Sequence, residues 1–343
     1  MAKHLVTGAA GFLGSHIVEK LYQMGETDII ALDVLSSEQV FAGVRYAQGS
    51  VLDRVLLLDL TKHVDYIHHN AALVPLTKSG REFHQVNVMG TRNIVECCRQ
   101  NKVKKLIHMS SSAIYGLPDA MPITETTGYA PIEVYGQSKL DGEKEVWQYM
   151  DKGGSASCIR PRTIIGGKSR LGIFQILFEW ISEGRNIYVI GDGHNLFQFV
   201  HVDDLIDASI KAAFSEHNGL YNIGAAEYRT LRDDLEALCR YAGTGSKVKS
   251  LPVGLAKTGL YLMDKAKLSP LAPWHYLTYH KPFVFDISKA KRELGWAPRH
   301  DNEESLIESY EWYLANREKM LTTKSTHKKP VQQKFLKIIK YFS

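Results

Sequence analysis

The chain has 343 residues, 44% of them hydrophobic and 23% charged, enough apolar content for one large α/β body with a well-buried core. Its formal charge of +5 is a tail property: residues 322–343 hold six lysines and no acid, which leaves −1 for everything before them and little support for nucleic-acid binding. Cys97, Cys98, Cys158 and Cys239 have neither metal-ligand nor disulfide spacing, and no uninterrupted apolar run reaches transmembrane length, so a cytoplasmic, metal-free protein is expected.

Strand-like sequence begins at KHLV (3–6), so no signal peptide is expected. A glycine-rich turn, TGAAGFLG (7–14), opens a helix over about 12–24. DIIALD (28–33) reads as a second strand, VRY (44–46) as a third, and VDYIHHNAA (64–72) as a fourth that ends in small residues. His68 and His69 are neighbours on that strand and point to opposite faces, so they cannot chelate one ion. Helical periodicity follows through 81–100, with Val86, Val88, Ile94 and Val95 among its apolar positions. KKLIHMSSS (104–112) is a fifth strand, 134–150 a helix, and ASCIRP (156–161) a sixth strand. Strands alternating with helices imply βαβ units and a parallel sheet wound on both sides.

After about 165 the pattern is less regular: a helix near 172–184, the strand NIYVIG (186–191), and helices near 203–214, 230–242 and 254–266. A Pro-rich bend, LSPLAPW, precedes DISKAKRELGW and a last helix at 303–319. With no repeat and no low-complexity linker, this second region is expected to interleave with the first.

The turn at 7–14 places Gly8, Gly11 and Gly14 directly after a strand and at the mouth of a helix. Such a turn lets backbone approach a pyrophosphate, to which the helix N-terminus offers free N–H groups and the positive end of its dipole. Asp33 ends the second strand, placed to accept hydrogen bonds from a ribose diol. A carboxylate there repels a 2′-phosphate, and no Arg or Lys follows it in DVLSSEQ, so NAD is expected rather than NADP. In EVYGQSKLDGEKE (133–145), Tyr135 and Lys139 lie four apart, on one helical face. A nearby ammonium lowers a phenol from its ordinary pKa of about 10, which makes Tyr135 a usable proton donor and acceptor near neutral pH.

TGAAGFLG, NAA at 70–72, NVMGT at 87–91, SSSAIYG at 110–116, YGQSK at 135–139, IRP at 159–161 and HVDDL at 201–205 together resemble the extended short-chain dehydrogenase/reductases. That group holds NAD-dependent epimerases, dehydratases and 3β-hydroxysteroid-type dehydrogenases, and the likeness covers about residues 1–320. It implies a Rossmann-type doubly wound sheet in an NAD-binding domain over 1–165, with segments near 186–215 returning to it. Residues 166–320 would mostly form a smaller, interleaved α/β substrate region, and 321–343 a basic amphipathic tail. The resemblance implies Tyr135 as the acid/base acting on a substrate alcohol or ketone. Lys139 would depress its pKa and bind the nicotinamide ribose, and Ser111 would orient the substrate oxygen, with Ser112 as the alternative. Gly8, Gly11, Phe12, Leu13, Gly14, Asp33, Asn70, Ala71, Ala72, Ser110 and Pro161, with Tyr135 and Lys139, are expected along the cofactor. Ser112, Thr163 and Phe197 stand where relatives touch substrate. Asn87 is expected to tie the active-site backbone together, and His201, Asp203 and Asp204 to anchor a loop and cap the next helix. A homodimer through two helices is a further implication.

The departures from the family pattern narrow the chemistry. Dehydratases carry acidic residues just after the strand-end hydroxyl, where this chain has Ser112 and Ala113, so 4,6-dehydration is not expected. Nucleotide-sugar members usually show an Asn after the sixth strand and an Arg before the HVDD motif. Thr163 and Phe197 take those places here, which removes a bidentate phosphate clamp. Arg160, Arg162, Lys168 and Arg170 are candidates to compensate, with Arg160 better suited to a structural role. GDGHNLFQF (191–199), LPVGLAKTGLYLMDKA and SKAKRELGW look like sterol and 3β-hydroxysteroid-type dehydrogenases, whereas SSSAIYG and ETTGYAPIEVYGQSK look like sugar epimerases. The foremost expectation is a nucleotide-sugar epimerase or ketoreductase. A lipid-alcohol dehydrogenase is the rival, and a non-catalytic dinucleotide sensor the third reading. In the tail (330–343), Val331, Phe335, Ile338, Ile339 and Phe342 form an apolar stripe flanked by Lys334, Lys337 and Lys340. That is the make-up of a helix lying on an anionic membrane surface or docked on protein.

Overall fold

A computed structural model describes residues 2–37, 39–74, 80–167, 171–265 and 273–322. The chain runs β1 (His4–Thr7), α1 (Phe12–Gln23), β2 (Ile29–Asp33), β3 (Arg45–Gln48), α2 (Arg54–Leu60) and β4 (Tyr66–His69). A short turn of helix, α3 (Glu82–His84), and a wide π-turn (Gln85–Met89) lead into α4 (Gly90–Asn101) and β5 (Lys105–Met109). A tight 3₁₀ turn (Ser112–Tyr115), α5 (Val134–Asp151) and β6 (Ala156–Pro161) complete the first part. Then come β7 (Thr163–Ile165), α6 (Phe174–Ser182), β8 (Ile187–Ile190), β9 (Phe199–His201), α7 (Val202–Phe214), β10 (Gly219–Ile223) and α8 (Leu231–Ala242). The chain closes with β11 (Val248–Leu251), α9 (Val253–Lys265), α10 (Pro273–Thr278), α11 (Ser288–Leu294) and α12 (Asn302–Thr322).

Seven strands form one parallel sheet in the order β10-β6-β5-β4-β1-β2-β3. β1, β5 and β6 are buried at every residue, as parallel strands covered on both faces must be. On one face Leu5, Ile67 and Leu106 pack with Leu57, Ile94 and Val146 of α2, α4 and α5. On the other, Val6 and Ala31 meet Ile17 of α1 and Val202, Ile206 and Ile210 of α7. The sheet is therefore doubly wound. A second core, built from α6, α8, α12, β8 and β9, holds Phe178, Phe197, Phe199, Leu235 and Tyr310.

Two boundaries differ from the sequence reading. The return of the chain to the large sheet does not begin near 186: β8 pairs with β11 in a separate two-stranded sheet, and β9 pairs with β7 in another. It begins at α7 and finishes with β10, a seventh strand that the sequence reading omits. β10 lacks a local signal because Gly219 and Asn222 are weak strand formers; pairing with β6 and the hydrogen bonds of Asn222 to Tyr115 (2.7 Å) and to the carbonyl of Ile123 (3.2 Å) hold it in place. The fifth strand stops at Met109, and the serines beyond it turn into the 3₁₀ segment instead of extending the strand. The tail at 330–343 and Lys168 and Arg170 lie outside the described residues.

His68 and His69 point to opposite faces. His68 Nε2 lies 3.2 Å from Nδ1 of His4, and His69 sits between the hydroxyls of Thr7 (2.8 Å) and Thr91 (3.1 Å). Burial pulls the His69 pKa down to about 3, so it is a neutral link between β1, β4 and α4.

Candidate active site

The strand order reverses between β1 and β4, which leaves a crevice beyond the C-terminal ends of the parallel strands, the usual place for a ligand in such sheets. Here it is a cleft of about 480 Å³. Its walls include Gly8, Gly11, Phe12, Leu13, Gly14, Asp33, Asn70, Ala71 and Ala72 at one end, and Ser110, Ser111, Ser112, Tyr135, Lys139, Pro161 and Thr163 at the other. The fold brings together every proposed cofactor and catalytic position from six separate stretches of chain.

The glycine turn is small because it must be. A Cβ on Gly8, whose φ is +68°, would stand 2.8 Å from the backbone N of Ala71, and one on Gly14 would stand 2.1 Å from the carbonyl oxygen of Gly8. Gly11 begins α1 with no side-chain cap and no acid in the first turn, so the positive end of that helix opens to the cleft. The Asp33 carboxylate braces the turn: Oδ2 accepts from Ala10 N at 3.0 Å and Oδ1 from Leu35 N at 2.9 Å. Among the described residues, Lys139 and Arg162 are the basic residues lining the cleft, on the β5 and β6 side, three strand spacings or more from Asp33, roughly 14 Å. A turn closed to side chains, an uncapped helix N-terminus and a carboxylate with no basic neighbour among the described lining residues fit a dinucleotide without a 2′-phosphate.

α5 is pressed against its neighbours through two glycines. A Cβ on Gly136 would meet the Ala113 carbonyl at 2.7 Å, and one on Gly142 the Asn87 carbonyl at 2.3 Å. That close approach puts Tyr135 and Lys139 in the cleft wall, one helical turn apart. The Tyr135 ring stands edge-on to Phe83, with centroids 5.9 Å apart. Lys139 is buried and donates from Nζ to the Met109 carbonyl at the end of β5. Burial draws its pKa down to about 8, against the Glu143 carboxylate one turn further on, which raises it. Ser111 Oγ accepts from Ala113 N at 3.2 Å and so caps the 3₁₀ turn, while its residue stays half-buried at the cleft. Asn87 does what its motif implies. Its side chain binds both the N (2.8 Å) and the carbonyl (3.1 Å) of Leu73 and the Ser138 hydroxyl (3.0 Å), which ties the β4 loop to α5.

Three residues behave differently from the sequence expectation or were not foreseen. Ser110 lines the cleft, but its hydroxyl donates to the buried Glu143 carboxylate. Glu143 in turn is paired with Arg160, both fully buried, and Arg160 also donates to the hydroxyls of Tyr115 (2.6 Å) and Tyr129 (3.0 Å). The signal for Glu143 was present, since it lies four residues past Lys139 on the same face. Trp274, which also lines the cleft, comes from α10 after the Pro-rich bend and has no local signal.

Phe197 is a correction. It is 0% exposed, packs in the second core against Phe199 and Tyr279, and does not line the cleft. An aromatic ring between β8 and β9 is worth more in that core than at a polar site. It stacks on Arg162 instead, which does line the cleft. His201 accepts from Asp203 N at 3.2 Å, and Asp204 accepts from the backbone N of Arg299 and of His300, both at 3.0 Å, which are anchoring and capping roles. His201, His300 and Glu308 bring three potential ligand atoms within 4.8 Å, but His201 Nδ1 is already an acceptor and Nε2 lies 3.0 Å from Glu308, the geometry of a protonated nitrogen facing a carboxylate.

The sequence over residues 4–224 matches the model of the NAD dependent epimerase/dehydratase family. The chain is 40% identical over 339 residues to the uncharacterized protein y4nG of Sinorhizobium fredii, covering 98% of this chain and 85% of that one. It is 34% identical to human sterol-4-alpha-carboxylate 3-dehydrogenase, decarboxylating, over 61% of this chain and 56% of that one. Among solved structures, UDP-glucose 4-epimerase from Thermotoga maritima with UDP-glucose superposes with a TM-score of 0.76 at 25% identity, over 92% of this chain and 99% of that one. With its doubly wound sheet, its glycine turn and its Tyr135 and Lys139 in one cleft, this chain belongs to the NAD dependent epimerase/dehydratase family, an NAD-dependent enzyme of the extended short-chain dehydrogenase/reductase type.

Proposed function

We propose that the protein acts at a secondary alcohol or ketone of a nucleotide-sugar, foremost as an epimerase, with Tyr135 as its acid/base. The observation that carries this reading is the convergence of Tyr135, Lys139 and Ser111 on the cleft that also holds the glycine turn and Asp33. When bound, NAD supplies the acceptor and donor of hydride. The protein's own part is proton handling. As phenolate, Tyr135 takes the proton of the substrate alcohol, and as phenol it returns one to the ketone oxygen. The Lys139 ammonium, charged below about pH 8, favours the phenolate on the same helical face. The Ser111 hydroxyl, uncharged, donates to the reacting oxygen and fixes its direction.

The Thermotoga epimerase supports the sugar substrate. A second reading, a lipid-alcohol dehydrogenase, draws on the sterol dehydrogenase relative and on the apolar part of the wall, with Leu73, Val86 and Trp274. A substrate panel separates them: purified protein with NAD is given nucleotide-sugars and hydroxysteroids, and both sugar epimers and NADH absorbance are followed. Epimers without net NADH are expected. NADH from hydroxysteroids alone would overturn the sugar reading.

Contact with a membrane surface and a homodimer belong to the same proposal. No helix among the described residues is long and apolar enough to cross a membrane. Surface contact draws support from the tail's lysine-flanked stripe and from α9, which leaves Leu255, Tyr261 and Leu262 at least half exposed on one face. Sedimentation of the full chain checks both: a mass of two chains in buffer, and pelleting with phosphatidylserine vesicles but not with phosphatidylcholine ones. A chain truncated after residue 322 that pellets equally well would remove the tail from this account.

A further inference from the structure

Arg162 is 3% exposed as a residue, yet it is one of the residues that line the cleft. It is clamped between the rings of Phe197 and Phe283, each centroid 4.3 Å from Cζ. Nε donates to the Phe283 carbonyl at 3.0 Å and one Nη to the Thr163 hydroxyl at 2.8 Å; the other Nη has no hydrogen-bond partner among the described residues. All of these partners are neutral. Among the described residues the one electrostatic influence that raises the Arg162 pKa is that of the Tyr279 phenol. The contrast with its neighbour is sharp: Arg160, two residues earlier within β6, is also buried and is paired with Glu143. Burial without a counter-charge pulls the Arg162 pKa down to about 9.

An unpaired cation inside a protein is costly, and the cost falls when an anion enters beside it. A guanidinium held flat between two aromatic rings is already oriented for a planar or tetrahedral oxyanion. We infer that Arg162, with Thr163 beside it, is the oxyanion-recognition corner of the substrate end of the cleft, taking a phosphate or carboxylate group of the substrate. This rests on the cleft being the substrate site, and it gives Phe197 a role: the ring that replaces a charged residue before the HVDD motif serves as one jaw of the clamp on a different arginine.

The test uses the full-length chain loaded with NAD and compares wild type with Arg162→Met, which keeps the stacking length without charge, and with Arg162→Lys. Binding is measured for UDP-glucose as the phosphate probe, and for a hydroxysteroid carboxylate and its neutral methyl ester as the carboxylate probe. The dissociation constant of at least one anionic probe is expected to rise about 10- to 100-fold in Arg162→Met, with a smaller rise in Arg162→Lys. NAD affinity and ester binding stay unchanged. Loss of the unpaired charge should leave the melting temperature of the ligand-free protein equal to or above wild type. Which probe responds identifies the source of the oxyanion. Equal binding of both anionic probes by wild type and Arg162→Met, a parallel loss of ester or NAD binding, or a lowered melting temperature with unchanged anion binding would each overturn the inference. Arg162-dependent anion binding in a protein that turns over none of the probes would leave this inference standing and sink the catalytic reading instead.

Discussion

Tyr135→Phe is expected to lower the turnover rate by about 10²- to 10⁴-fold while the variant still folds and binds NAD. Tyr135 lines the cleft with Lys139 on the same helical face one turn away, the arrangement on which the proposed proton exchange with a substrate oxygen rests. Phenylalanine keeps the edge-on packing against Phe83, so the fold loses little. NAD affinity measured by fluorescence titration, together with turnover, separates the two effects. A variant that keeps its rate would show that the protein does not use this phenol. The wild-type pH profile carries the same signature. Lys139 is charged below about pH 8 and loses its proton as pH rises through that value, so the rate should decline on the alkaline side near pH 8.

Glu143→Gln is expected to destabilise the protein by about 3–5 kcal/mol, because it leaves the Arg160 guanidinium buried without its carboxylate. The same change should move the alkaline limb of the rate profile to lower pH, since Glu143 is the foremost group that raises the Lys139 pKa against the effect of burial. Urea unfolding and a pH–rate profile on the surviving folded protein measure the two consequences separately. The paired replacement Glu143→Leu with Arg160→Met should cost less than either single change, because no lone charge remains inside. A single variant as stable as wild type would show that the pair is not what holds α5 to β6.

The sheet and most helices were legible in local pattern. Residues 134–150 were read as a helix and form α5 (Val134–Asp151); 230–242 were read as a helix and form α8 (Leu231–Ala242), with Thr230 as the N-cap accepting from Asp233 N. Periodicity and capping act within a few residues, and so they survive in a linear reading. What escaped was set by distant partners. β10 is a strand because β6 offers it an edge, and the 186–201 stretch leaves the large sheet because β8 and β9 find β11 and β7 instead.

The site divides the same way. Gly8, Asp33, Tyr135 and Lys139 could be picked out from spacing together with the ordered motifs of the family resemblance, because a turn, a strand end and one helical face are local objects. Their meeting in one cleft, the removal of Phe197 from it, the turning of the Ser110 hydroxyl toward Glu143 and the entry of Trp274 were decided only by packing. Arg160 and Arg162 show the difference most clearly. By sequence they are two arginines two residues apart at the end of the sixth strand, and only the arrangement of Glu143 beside one and two phenylalanines around the other makes the first a neutralised strut and the second a guanidinium held between aromatic rings with no ion pair among the described residues. Sequence specifies which groups a chain owns and what they do within a turn or two. Which charges are neutralised, and which are left for a ligand, depends on contacts between residues far apart in the chain.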